Sequence, residues 1–257
     1  MPAIASRSLR LGALSALCVL AAGPALAAGD ADAPVFSGSL YLWGSALKGT
    51  TSTLPPLPAT DVDLSFRDVL KNFEGGLMGV GEVNAGRWTG ILDVMFTQVS
   101  PSGTMPGPAA AGVDLRSRSL TAQGDLLYRV YESDAVRVDA GAGLRFWHLD
   151  NRLSIGGGAL PQGITYSQSQ AWIDPVAVAR LSTRLGDAWS ATLIGDLGGF
   201  NVGSRFTWQA IGTVNYHWTE KVALRLGYRV LSVDYENGAF LYDVRMQGPV
   251  AGLTYRF

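Results

Sequence analysis

The stretch Lys221 to Phe257, KVALRLGYRVLSVDYENGAFLYDVRMQGPVAGLTYRF, narrows the possible folds more than any other part of the chain. Val222, Leu224, Leu226, Tyr228 and Val230 share one parity, and Ala223, Arg225, Gly227 and Arg229 share the other. A side-chain period of two marks a strand, and the turn signal Glu236-Asn237-Gly238 between two such runs marks a hairpin. One face suits hydrocarbon and the other carries guanidinium groups. The chain ends with Leu253, Tyr255 and Phe257 on one parity. Strands with one oily face and one ionic face are the pattern of a transmembrane β-barrel.

Residues 1–28 read as a secretory signal peptide: Arg7 and Arg10, an apolar core from Leu11 to Ala22, and Ala25-Leu26-Ala27 before the cut. The remainder, 29–257, holds no uncharged apolar run of the roughly 18 residues that a membrane helix needs. A barrel hides its hydrophobicity in alternate positions, so a middling average hydropathy is expected of it. The single cysteine, Cys18, falls in the signal core, which leaves no disulfide and no thiolate metal site. A net charge of −1 gives no case for nucleic-acid binding.

Alternation predicts about ten antiparallel strands, with eight or twelve as alternatives. The first covers about 36–48. An irregular stretch, 49–76, follows, and its second half carries a helix signal. Ser65-Phe66-Arg67-Asp68 fits a capping box, and Phe66, Val69, Leu70 and Phe73 form a helical stripe. A two-turn amphipathic helix is expected, resting on the barrel rim or entering the lumen. In the next strands Trp88, Leu92 and Phe96 face out, as do Leu120, Leu126 and Tyr128, then Val138, Leu144 and Phe146. Pro175 and Gly248-Pro249 are expected to mark bulges, the second with a change of outward parity. A break in parity is also expected after Gly212. Connections near 86, 133, 187 and 219 are tight and the others mostly longer, the asymmetry of outer-membrane barrels. Trp88, Trp189, Tyr216, Trp218 and Phe257 beside the tight turns suit a membrane interface better than a soluble sandwich.

The inward parity carries both signs: Glu82, Asp93, Asp125, Asp139, Asp174 and Asp196 against Arg129, Arg137, Arg145, Arg180, Arg184, Arg225 and Arg229. Such charges cannot sit dry and unpaired. They form either a structural salt-bridge network or the lining of a narrow path for ions or small solutes. No cofactor motif, phosphate loop or nucleophile elbow is present, and catalysis is not expected. A lipid- or peptide-hydrolysing alternative rests on His148, with Asp150 and Ser154 nearby in sequence. His217 points inward beside a tight turn, with no obvious partner. A further alternative is a surface adhesin or receptor acting through the loops 49–76 and 100–112.

Tyr41-Leu42-Trp43, Val62-Asp63-Leu64-Ser65-Phe66, Trp172-Ile173-Asp174-Pro175, Gly227-Tyr228-Arg229, Val233-Asp234-Tyr235 and the ending Gly248-Pro249…Tyr255-Arg256-Phe257 carry a resemblance. Across nearly all of 36–257 the chain resembles small outer-membrane β-barrel proteins of proteobacteria, the OmpA/OmpW-like superfamily. The resemblance implies an all-β closed antiparallel barrel in contact with outer-membrane lipid. It also implies that the terminal aromatic, Phe257, is read by the barrel-assembly machinery. It carries over no catalytic residue.

Overall fold

The computed structural model describes residues 33–104, 112–156 and 163–257; the predicted signal peptide lies outside the described residues. Thirteen strands and one short helix occur among them: β1 (Val35–Trp43), β2 (Ala46–Ser52), β3 (Thr60–Leu64), α1 (Phe66–Lys71), β4 (Phe73–Ala85), β5 (Trp88–Val99), β6 (Ser102–Thr104), β7 (Gly112–Glu132), β8 (Val136–Gly156), β9 (Ile164–Arg184), β10 (Trp189–Gly198), β11 (Phe206–His217), β12 (Val222–Asn237) and β13 (Phe240–Arg256). The wall runs β1-β4-β5-β7-β8-β9-β10-β11-β12-β13, and β13 pairs back onto β1 from Arg256 opposite Ser37 to Val250 opposite Trp43. Ten antiparallel strands thus close a barrel. No helix among the described residues is long and apolar enough to cross a membrane, so closure is what satisfies the backbone groups within lipid.

The parity reading holds along the wall. Trp88, Leu92, Leu126, Leu144, Leu193, Leu226 and Tyr228 stand exposed on the outer surface, while Thr89, Gln123, Asp139, Arg145 and Arg229 are buried inside. On β8 the outward apolar positions run from Val138 to Phe146, close to the length with which a tilted strand crosses the hydrocarbon. Above that level the polarity reverses while the geometry does not. Trp147, Leu149 and Asn151 continue the buried inner parity, and His148, Asp150 and Arg152 continue the outer one. On β13, Phe240, Tyr242 and Val244 face in while Asp243, Arg245 and Gln247 face out. The barrel therefore has two storeys: a lower one built for lipid and an upper one built, like a soluble barrel, for water.

Several expectations are corrected. The stretch 49–76 is not irregular throughout, since β2 and β3 form a hairpin that extends the wall beside β13. Its residues show little hydrophobic alternation: of β2, Leu47 packs against the buried cluster, while Lys48 and four of the five residues of β3 are exposed. No bulge occurs at Pro175; the β8–β9 register is unbroken there, with Leu144 opposite Pro175. The N–H that proline lacks would face β10, whose ladder ends at Gly198 opposite Val176, where the Gly199 amide donates to the Pro175 carbonyl at 3.0 Å. Nor does the parity change at Gly248-Pro249, where even-numbered residues stay buried or half-buried from Phe240 to Thr254. The missing Pro249 donor acts instead on the neighbouring strand, separating β1 from β2 at Gly44-Ser45. The register past Gly212 is continuous from Phe206 to His217. The actual irregularities lie between Phe73 and Gly75 and between Arg129 and Tyr131. Asn237 is still paired, so the last hairpin turns on Gly238-Ala239, with Gly238 at φ 60°.

The helix signal is realised as a single six-residue element, α1, whose N-cap Ser65 and N3 residue Asp68 complete a capping box. The bonds from the Ser65 side chain and amide hold the Asp68 carboxyl below its usual range. The Phe66 ring lies against Gly44, whose Cβ, were it present, would stand 2.9 Å from it. Gly44 falls on the outer parity, next to inward Trp43, so α1 sits outside the lumen. Asp68→Ala removes one half of the capping box, and trypsin is expected to cut faster at Arg67 and Lys71 in that variant than in the parent at neutral pH.

Candidate functional site

The strands converge most of their inward charged and polar groups in the lumen, which is filled in layers. Near the tight turns, on the inner faces of β4, β5, β8 and β9, Arg180 bridges Glu82 and Asp139, each at 2.9 Å. Arg137 holds the same Asp139 at 2.9 Å and donates to Asn84 and Thr89. Arg129 reaches Asp139 at 3.9 Å and Glu132 at 3.0 Å.

Midway up, one belt of hydrogen bonds crosses the barrel. Arg145 donates to both oxygens of Asp196, at 2.7 and 2.6 Å, and to Gln123 at 2.8 Å and Thr207 at 2.9 Å. Gln209 donates to Asp196 at 3.0 Å and accepts from Arg229 at 2.8 Å. Arg229 in turn pairs with Asp93 at 3.0 Å, and the Tyr41 hydroxyl accepts from Arg229 while donating to Asp93 at 2.6 Å. A guanidinium with this many acceptors meets the condition for a charge held away from water.

Above the belt the lumen is packed with aromatic rings. Trp147 stacks on Trp172 at 5.6 Å between centroids, and Trp172 on Tyr235 at 3.9 Å. Leu231, Val233, Phe240, Tyr242 and Val244 complete a buried cluster. Asp174 sits inside it without a cationic partner among the described residues. Its carboxylate accepts from the Trp147 indole at 3.0 Å, the Trp172 indole at 3.2 Å, and the Ser204 amide and hydroxyl at 2.6 and 2.8 Å. Four donors take the place that a salt bridge would hold.

The sequence-predicted charges therefore divide. Glu82, Arg129, Arg137, Asp139 and Arg180 meet in the lower layer, and Asp93, Arg145, Asp196 and Arg229 in the belt. Asp174 belongs to the aromatic layer. Arg184 ends β9 exposed, in no ion pair among the described residues, because the wall stops at that level. Asp125 and Arg225 face inward but join neither layer. Both line an internal cavity of about 100 Å³ bounded in part by Tyr41, Asp93, Gln209 and Arg229.

Parity places Tyr41, Gln123, Trp172 and Gln209 on the inward face, as observed, but a list of charges left out their part in the belt and in the aromatic layer. The available signal was Trp147 and Leu149 on the same parity as Arg145, and Tyr235 directly opposite Tyr242. His217 does have a partner, contrary to expectation: its Nε2 lies 2.9 Å from the Ser190 hydroxyl. His148, Asp150 and Ser154 share the outer face of β8, but six residues of strand put Ser154 about 20 Å from His148. No cluster of three or more His, Cys, Asp or Glu able to hold a metal occurs among the described residues.

A closed antiparallel wall, an apolar outer band ringed by aromatics and an ionic lumen together define a barrel of the outer-membrane type. No protein-family model and no curated protein matches the chain. Among solved structures, the outer membrane protease OmpT from Escherichia coli aligns over 87% of this chain and 97% of its own, with a TM-score of 0.53 and 9% identity. Ail, the attachment invasion locus protein of Yersinia pestis, aligns over 88% of this chain and 99% of its own, with a TM-score of 0.35 and 13% identity. At 9% identity the likeness to OmpT shows the shared barrel fold and nothing of activity.

Proposed function

We propose that the protein is a sealed, non-enzymatic outer-membrane barrel with a structural role, anchored in lipid and raising a water-facing upper wall above it. The observation that carries this reading is the double closure of the lumen. The hydrogen-bonded Arg145–Asp196 belt lies beneath the stacked Trp147, Trp172 and Tyr235 rings, so two packed layers of buried side chains fill the lumen one above the other. The lipid-suited band and the aromatics beside the tight turns support residence in the outer membrane, reached by way of the 1–28 leader. Phe257 stands exposed beside β1 and is the group we assign to recognition by the assembly machinery, in keeping with the OmpA/OmpW-like resemblance.

Single-channel recording in planar bilayers tests this. The parent protein is expected to be silent, as is a Trp172→Ala, Tyr235→Ala variant while the belt is intact; adding Arg145→Ala and Asp196→Ala, which removes the second closure, is expected to give discrete openings. Steady unitary currents from the parent would replace the sealed reading with a pore.

A further inference from the structure

Two ionic groups in the lumen are left over once the ion pairs are drawn, and both line the same cavity. Arg225 projects inward from β12; its Nε is buried and finds no acceptor. Of the other acids in the cavity lining, Glu82 is already bonded to Arg180 and Asn84, and Asp93 to Arg229. A guanidinium nitrogen enclosed in this way calls for an acceptor that the described residues do not supply.

The second group is Asp125, on β7. It accepts from Gln123 Nε2 at 3.1 Å to each oxygen and pairs with no cation among the described residues. Its carboxylate occupies the space that a side chain at position 143 would fill: a Cβ on Gly143 would lie 2.0 Å from Asp125 Oδ1. The missing side chain on β8 is thus what lets the acid take this pose, and Gln123 holds it there.

In the closed wall, β7 and β12 stand five strands apart whichever way round the barrel is counted. The uncommitted anion and the uncommitted cation therefore face the cavity from opposite sides. Between them the lining includes Val80, Ile91, Ile194 and Ile211. A water needs roughly 10–15 Å³ measured with a water-sized probe, so the space exceeds that of a single water several-fold. An apolar chamber with a few convergent polar groups is the general form of a small-molecule site.

We propose that this cavity is a binding site for a short linear zwitterion, with its carboxylate on Arg225, its ammonium on Asp125 and a methylene spacer against the valine and isoleucines. The site is independent of whether the barrel conducts, since it requires only that the molecule be enclosed or admitted. A simple anion would leave Asp125 unanswered, and a simple cation would leave Arg225 so.

The test uses the full-length mature barrel, refolded in detergent with the probe present so that access is not limiting. Binding is then read by calorimetry after exchange. The probes are glycine, 4-aminobutyrate and 6-aminohexanoate, with acetate and methylammonium as half-molecules. One member of the series is expected to bind at least tenfold tighter than either half-molecule. Asp125→Asn and Arg225→Gln should each weaken it at least tenfold, while Arg225→Lys retains part of the affinity. Heat-modifiable migration on gels identifies the variants that fold. If no zwitterion binds the parent, the proposal is wrong. It is equally wrong if acetate binds as tightly as the best zwitterion and Asp125→Asn changes nothing, which would make the cavity an anion site alone.

Discussion

Asp196→Ala is expected to lower the unfolding free energy by about 3–5 kcal/mol, among the largest effects of any single substitution in the lumen. The reason lies in what is left behind. Arg145 is fully buried, and its Nη2 bonds both Asp196 oxygens. Removing the acid strands a guanidinium where water cannot solvate it, and Gln209 and Gln123 also lose an acceptor. Denaturant titration in detergent, followed by tryptophan fluorescence, measures the loss. Converting both partners together, Arg145→Met with Asp196→Leu, should recover more than half of it, because an apolar pair carries no desolvation penalty. If the single variant cost under about 1 kcal/mol, the belt would be a solvated arrangement and the sealed lumen would lose its main support.

The second large effect separates the two storeys. Leu226, 67% exposed on the outer face of β12, lies between Val214 and Ala251 within the apolar band. Leu226→Arg is expected to cost about 2–4 kcal/mol in a lipid bilayer, as an arginine does near the midplane. Ser169→Arg places the same side chain on the outer face of β9 above Ile173, and should change stability by less than about 0.5 kcal/mol. Folding into vesicles, read by the heat-modifiable gel shift across a urea series, distinguishes the two sites. Equal costs at both positions would mean that the boundary is drawn in the wrong place.

What could be read from the residues, and what could not, follows from range. The faces of β12 were legible because Val222 to Val230 alternate and each position answers only to lipid or lumen. Capping at Ser65 was legible because its partners lie within one turn. Partner choice inside the lumen was not. Arg180 finds Glu82 across 98 residues, a meeting decided by register and by the stagger of closure, to which no local pattern refers. Asp174 illustrates a different difficulty. Inward parity was correct for it, but its partners are two indoles and a serine from a short loop, so a charge ledger had no place for them. The β2–β3 hairpin escaped because its short strands carry too few apolar residues to alternate, Leu47 being the one that packs on the buried cluster.

The seam between β1 and β13 has a consequence for biogenesis. Ser39 bonds Thr254 across 215 residues, and the barrel has no other way to shut. Until β13 is in place, any partly assembled intermediate carries two bare strand edges, each ready to zip onto a neighbouring molecule. Such long-range pairing is also slow. The topology thus makes the closing of this one strand pair the step at which an unfinished barrel is most open to wrong pairing, whatever the finished barrel goes on to do.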